Sequence, residues 1–230
     1  YLELWAQSLP SLLLATVQVT IPLTLISFVL ALLLGLLATA ARNLSRYNPL
    51  NWLATAFVWF FRGTPLLVQL FLVFYGLPRV GITLDTWPAA IIAPSLNTGA
   101  YVSETFRSAY ASIPRGQFEA ARTLNFTKMQ TLRHVVIPQA TRIALPPLGN
   151  DLIDLVKGTS LVSVISMVDL FQSGKQVAAR TFEPLAMYLE VAAIYLVIFT
   201  LLSIAHGTRS GAAPIWQWVR RLAPVATASL

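Results

Sequence analysis

Between Glu3 and Arg42 the chain carries no charged residue. An α-helix rises 1.5 Å per residue, so about 20 apolar residues cross the ~30 Å hydrocarbon core of a bilayer, and this run exceeds that length. In hydrocarbon a single segment satisfies its own backbone N–H and C=O groups only as a helix, so the run is expected to be helical and membrane-spanning. Pro10 stands early in it, which predicts an interfacial lead-in followed by a full span ending near Ala41. Composition agrees: 11% of residues are charged, against ~25% in soluble domains. The expected fold class is an all-α integral membrane protein. No basic leader with a short apolar core and a cleavage site precedes the run, so the spans themselves are the expected anchor.

Four more segments meet the same ruler. One runs from about Trp52 to Leu77 with Arg62-Gly63-Thr64-Pro65 in its middle, which predicts an interfacial helix that breaks and turns into a span, with Arg62 at the water boundary. The others cover about Pro88 to Ala111, Pro138 to Val164 and Pro184 to Gly207; the fourth is the weakest, because Asp151, Asp154 and Lys157 lie inside it. Lys and Arg set the orientation. Arg42, Arg46, Arg115, Arg122, Lys128, Arg133, Arg209, Arg220 and Arg221 fall on one side, and Arg79, Lys175 and Arg180 on the other. The first side is therefore expected to be cytoplasmic, with the N-terminus outside and the C-terminus inside. The basic residues are strung between apolar runs rather than gathered on one face, so the net charge of +7 reflects topology and not nucleic-acid binding. Residues 1–208 read as one transmembrane domain, with a cytoplasmic loop over 112–137. The tail over 209–230, with Trp216, Trp218 and Arg220-Arg221, reads as a cytoplasmic interfacial segment. Trp5, Trp52 and Trp87 also fall near expected interfaces, as anchors. Gly35, Gly63, Gly76 and Gly99 are expected to serve helix packing.

Several chemistries are excluded. The chain has no Cys and two isolated His, so disulfides, thiolate chemistry and Cys/His metal sites are absent; no catalytic or metal-binding residue is expected. Ser173-Gly174-Lys175 is the nearest approach to a phosphate loop, but Asp169 stands where its first Gly belongs, so the chain does not hydrolyse ATP itself.

The cytoplasmic loop is the polar exception. Glu119-Ala120-Ala121-Arg122-Thr123-Leu124 is a good helix former with its acidic residue at the N-terminal end, and Asn125 suits the left-handed turn that ends a helix. Thr127 with Gln130 makes a capping box for a second short helix, whose Met129, Leu132 and Val136 share a face, and Pro138 marks the entry to the fourth span.

With that loop the chain resembles the permease subunits of binding-protein-dependent ABC importers. Their signature is Glu-Ala-Ala, three residues, Gly, nine residues, Ile, one residue, Leu-Pro. Here it reads Glu119-Ala120-Ala121, then Asn125, Val135 and Ile137-Pro138. Asn is the residue after Gly most tolerant of a left-handed cap. Phe61-Arg62-Gly63-Thr64-Pro65 with Gln69, Leu96-Asn97-Thr98-Gly99-Ala100-Tyr101 with Glu104 and Arg107, and Ala144-Leu145-Pro146-Pro147-Leu148-Gly149-Asn150 are similar to the polar amino acid uptake branch. The resemblance spans about residues 10 to 205 and implies five transmembrane helices of the type I importer kind. It also implies that Glu119, Ala120, Ala121, Arg122, Leu124 and Asn125 couple the chain to a cytoplasmic ATPase, with the two alanines keeping the helix slim enough for a groove. The implied partners are a second permease chain, two ATPase subunits that bind ATP and Mg, an extracytoplasmic solute-binding protein and the lipid bilayer, in the inner membrane of a prokaryotic cell. No cofactor is implied for this chain.

Ionisable groups inside spans cost at least ~2.5 kcal/mol each, so they face protein or water. Asn97, Tyr101, Glu104 and Ser108 follow helical spacing on the third span. Asn150, Asp151 and Asp154 form a second stripe on the fourth, with Lys157, Thr159 and Ser160 near its outer end. Carboxylates facing each other could receive an ammonium, and Lys157, hydroxyls or free backbone N–H groups a carboxylate; an amino acid fits. Two other readings stay open. Asp154–Lys157 and Glu104–Arg107 are each three apart and can satisfy one another. The carboxylates could also serve as a proton or sodium relay in an ion-coupled carrier or channel. The family resemblance leaves cationic specificity open: Asp151 favours it, and Gly158, where many relatives carry Asp, does not.

Overall fold

A computed structural model gives the fold and describes residues 2–210. Among the described residues every regular element is helical. Leu2–Ala15 (α1) and Ile21–Arg42 (α2) join through one π turn, Thr16–Thr20, into an apolar helix whose 40-residue stretch Glu3–Arg42 is long enough to cross a membrane. At 1.5 Å per residue it is about 60 Å long. The expected separate lead-in at Pro10 is corrected: Pro10 sits inside α1. The N-terminal turns are held by tertiary contacts instead, Trp5 Nε1 donating to the Ala186 carbonyl at 2.9 Å and Ser8 Oγ to Glu190 Oε2 at 2.6 Å.

Pro49–Gly63 (α3) and Leu66–Phe71 (α4, continued by irregular turns to Val80) meet at 111°. Thr64 is extended at the break (φ −123°, ψ 146°), because Pro65 disfavours helical backbone in the residue before it. The break falls where the sequence placed it. Three π turns, Thr16–Thr20, Leu72–Gly76 and Leu132–Val136, each end two residues before a proline, namely Pro22, Pro78 and Pro138. A proline ring clashes with the carbonyl four residues earlier and brings no N–H; the wider turn relieves both without ending the helix.

Thr86–Ala111 (α5) is the central helix, packed against α2, α3, α4 and Ile137–Gly158 (α8). Its contact with α2 is the most extensive in the structure. Glycine makes it possible: a Cβ on Gly35 would lie 2.5 Å from Val102 Cγ1, and one on Gly99 3.0 Å from Leu34 Cβ. By length and composition Glu3–Arg42 and Pro184–Gly207 qualify as spans, and the bent α3–α4 pair would be a third. α5 and α8 are long enough but more polar; α5 is wrapped by four helices, with Ala90, Ala93, Ala100 and Ser103 buried, so its lining need not match lipid. The lipid-like surface lies elsewhere, on Leu25, Val29, Leu33 and Leu37 of α2 and on Leu189, Leu196 and Leu201 of Pro184–Ser210 (α10), all exposed.

α8 gives way at Thr159 to a 3-10 stretch, Thr159–Ile165, before Leu170–Thr181 (α9) starts with Asp169 as its cap, the carboxylate accepting from the Gln172 amide at 2.8 Å. Ser173-Gly174-Lys175 lies within α9, where a Cβ on Gly174 would meet Val191 at 2.4 Å: it packs a helix rather than a phosphate. The expected interfacial tail with Trp216, Trp218, Arg220 and Arg221 lies outside the described residues.

Candidate functional site

Two adjoining cavities of ≈ 280 and ≈ 270 Å³ open between α5 and α8, and Tyr101 and Asp151 line both. Residues 97, 101, 104 and 108 recur at helical spacing along α5, and residues 147, 151, 154 and 158 along α8, so each helix turns one face to the cavities. The first cavity is walled by Arg62, Tyr101, Glu104, Ser108 and Asp151, the second by Asn97, Thr98, Tyr101, Asp151 and Asp154. Thr105 Oγ1 donates to Asp151 Oδ2 at 3.4 Å. Asn97, Tyr101, Glu104, Asp151 and Asp154 thus line one or both of these adjoining cavities.

The rest of the expected stripe on α8 is divided. Asn150 is exposed and lines neither cavity, since one residue along a helix turns the side chain by about 100°. Lys157 binds Asp154 at 2.7 Å, lies over the Phe199 ring and, with Ser160, lines a separate apolar cavity of ≈ 450 Å³ toward α9 and α10. Thr159 is fully buried, its hydroxyl donating to the Val156 carbonyl. These three do not face the α5–α8 cavities.

Glu104 is the most heavily engaged side chain at the site. It accepts from Arg107 Nε at 3.0 Å and Nη2 at 2.7 Å, and pairs with Arg42 Nη1 on α2. Arg62, from the end of α3, approaches it only to 4.0 Å and lies over the Tyr101 ring at 5.4 Å. One carboxylate therefore joins the ends of α2, α3 and α5. Asn97 has a structural task as well: its amide donates to Phe61 O at 3.1 Å and to Gln69 Oε1 at 3.0 Å, and Gln69 Nε2 in turn donates to Phe61 O and Thr64 O at 2.9 Å each. The two amides satisfy carbonyls that the α3–α4 bend leaves without helical partners.

At the loop, Arg115–Thr123 (α6) starts four residues before Glu119, after Pro114, so Glu119 stands mid-helix and not at the N-terminal end as expected. Asn125 takes φ 56°, and the Asn125 and Phe126 amides close the helix by donating to Arg122 O at 2.9 Å and Ala121 O at 3.0 Å. The capping box of Thr127 and Gln130 is present, at 3.2 and 2.8 Å. What it starts is not a separate short helix: Lys128–Thr131 (α7) runs through the π turn Leu132–Val136 into α8, which lets Pro138 stand within a continuous helix. Ala121 is buried against the chain itself, whereas Glu119, Ala120, Arg122 and Asn125 are exposed, as is Leu124 at 67%. Of the two alanines only Ala120 is exposed.

The family described as binding-protein-dependent transport system inner membrane component matches residues 31–208. The chain belongs to that family. It is 44% identical over 205 residues to the L-cystine transport system permease protein TcyB of Bacillus subtilis (strain 168), covering 89% of this chain and 87% of that one. It is 34% identical to the glutamine transport system permease protein GlnP of Escherichia coli (strain K12), covering 86% and 92%. A crystal structure of an amino acid ABC transporter with histidines superposes with a TM-score of 0.85 at 32% identity, covering 90% of this chain and 96% of that chain. The chain is thus a permease component, and α5 and α8 are the two of its helices that line the cavities around Tyr101 and Asp151.

Of two buried acids of this permease, sequence reasoning passed over Glu190 and met Asp169 only as a departure from a phosphate loop. Glu190 is 2% exposed on α10 and bonded to Ser8, and Asp169 is fully buried as the cap of α9. Glu190 was findable, being the one acid inside the fifth apolar run. Arg42 and Arg62 as partners of Glu104 were not, because the three come from helices far apart in sequence.

Proposed function

We propose that this permease component works as the membrane-spanning subunit of an ATP-driven amino acid importer. It has five spans: the Glu3–Arg42 helix, the bent α3–α4 pair, α5, α8 and α10, with the N-terminus outside and the C-terminus in the cytoplasm, as the distribution of Lys and Arg favours. It pairs with a second permease chain and with two ATPases, which bind ATP and Mg, and it accepts an amino acid from an extracytoplasmic solute-binding protein. Asp151 receives the ammonium group of the solute in the α5–α8 cavities, beside Tyr101 and Asn97.

The observation that carries this reading is the loop at Asn125. A helix closed by a left-handed residue presents Glu119, Ala120, Arg122 and Leu124 outward, exposed among the described residues. Docked in an ATPase groove, α6 would pass motor closure directly to α8 through the continuous 128–158 helix, and α8 carries one wall of the cavity. The relatives named for cystine and glutamine support an amino acid as cargo.

Reconstitution tests the proposal. Proteoliposomes holding the permease, its ATPase and the solute-binding protein are expected to concentrate one or more members of a labelled amino acid panel that includes L-cystine and L-glutamine, with uptake lost when the ATPase is omitted. Concentrative uptake by the permease alone under a proton or sodium gradient would overturn it.

A further inference from the structure

The cavity has a group suited to an ammonium, Asp151, yet the cation the sequence offered for the carboxylate, Lys157, faces away from it. The cluster around Glu104 supplies another. Three guanidinium groups surround this single carboxylate, and two of them, Arg42 and Arg107, make close charge-assisted hydrogen bonds to it. Arg62 is the third and the least satisfied. Its one ion-pair contact among the described residues is at 4.0 Å, the outer limit of such a pair; its side chain is 44% exposed, and it lines the cavity that Asp151 also lines. The Tyr101 ring beneath it holds the guanidinium plane by a cation–π contact at 5.4 Å. Its position is fixed by the α3–α4 bend, which Gln69 and Asn97 lock through the carbonyls of Phe61 and Thr64.

We propose that Arg62 is the specificity-determining residue that receives the α-carboxylate of the solute, so that an amino acid lies between Arg62 and Asp151 with Tyr101 at its flank. A guanidinium matches a carboxylate with two parallel hydrogen bonds, which Glu104, already held by two nearer arginines, cannot offer Arg62 from 4.0 Å. The cluster carries a charge surplus as it stands, three cations to one anion, and an incoming carboxylate reduces it. This deepens the importer reading and rests on it.

The test is direct binding to the purified permease–ATPase complex without the solute-binding protein, so that the receptor's own selectivity does not enter. The probes are L-arginine, L-glutamine and L-cystine, each paired with the compound of the same side chain that lacks the α-carboxylate: agmatine, 4-aminobutanamide and cystamine. For the amino acid that binds, the decarboxylated partner is expected to bind at least tenfold more weakly to the native complex. In Arg62→Gln the amino acid is expected to lose at least tenfold in affinity while the amine changes by less than about threefold, closing the gap; Arg62→Lys keeps part of it. Should Arg62→Gln fail to copurify with the ATPase, Arg62→Lys decides alone, through a loss confined to the carboxylate-bearing probe. A gap that persists in the variants while the native complex imports the amino acid overturns the role of Arg62 and leaves the importer reading standing. Absence of both binding and ATP-driven uptake for every probe overturns the two together.

Discussion

Asn97 on α5 and Gln69 on α4 share a hydrogen bond of 3.0 Å, and both donate to the carbonyl of Phe61 at the end of α3. Gln69 is 1% exposed, so losing the Asn97 amide leaves Gln69 Oε1 buried without its donor. Asn97→Ala is therefore expected to lower stability by roughly 1–3 kcal/mol, seen as a lower thermal midpoint of the purified protein with no solute present. A residue that only touched solute would leave that midpoint where it was.

Gly35 and Gly63 were both expected to serve helix packing, and only Gly35 does so. A Cβ at Gly35 meets Val102 at 2.5 Å and the Ser103 backbone at 3.0 Å, whereas one at Gly63 meets nothing within 4 Å. Gly35→Ala must push α2 from α5 and is expected to cost about 1–3 kcal/mol. Gly63→Ala is expected to be neutral or slightly stabilising, in the same thermal assay. The ordering of the two midpoints is the check.

Glu104 and Asp151 should separate in the same way. Glu104→Gln removes the charge that holds Arg42 and Arg107, and hydrogen bonds to charged groups contribute about 1.5–3 kcal/mol each, so unfolding should move to lower temperature. Among the described residues Asp151 has a single long bond, from Thr105. Asp151→Asn is expected to shift the midpoint by less than half as much and to lower ATP-driven uptake in proteoliposomes.

These contrasts mark what a sequence can and cannot reveal. The bend at Thr64-Pro65, the left-handed Asn125 and the capping box of Thr127 were legible because each rests on neighbouring residues and on backbone preferences. The facing of α5 and α8 was legible in part, through helical spacing. Periodicity ranked Asn150, Lys157, Thr159 and Ser160 with Asp151, but which arc of α8 meets α5 depends on packing against α10, where His206 lies so close that a Cβ on Gly149 would sit 2.2 Å away. The Glu104 cluster and the Gln69–Asn97 lock join segments distant in the chain, and nothing local announces them. The continuity of α7 with α8 was hidden for another reason: Pro138 reads as a boundary, and a π turn lets the helix pass it.

Asp169, in the connection before α9 and outside the spans, gives a pH dependence. Burial pushes its carboxyl from the usual 3.8 up to about 6, against the opposing pull of backbone N–H bonds from Gln172 and Phe171. The folded state thus holds the proton more tightly than the unfolded chain. Its contribution to stability is full below about 3.8 and is lost as pH rises through about 6. Asp169→Asn keeps an oxygen to cap α9 and does not ionise, so it should flatten this slope. Denaturation midpoints in detergent across that range, compared between the two proteins, measure it.

Asn125 is the sharpest test of the coupling loop. Its φ of 56° is a left-handed conformation that costs most L-residues about 1–2 kcal/mol, costs Asn less and Gly nothing, and is worst for a β-branched side chain. Asn125→Gly is expected to leave ATP-driven uptake at or above the native rate. Asn125→Val is expected to open the turn, breaking the bonds from the Asn125 and Phe126 amides that close α6 and tilting Glu119, Ala120 and Leu124 out of register with the ATPase. The fold should survive, because the loop is exposed and Ala121 is its main buried residue. The measured signature is a native thermal midpoint together with lost solute-stimulated ATP hydrolysis and weakened copurification of the ATPase. Normal coupling in the Val variant would mean that the turn at Asn125 does not set the docking surface.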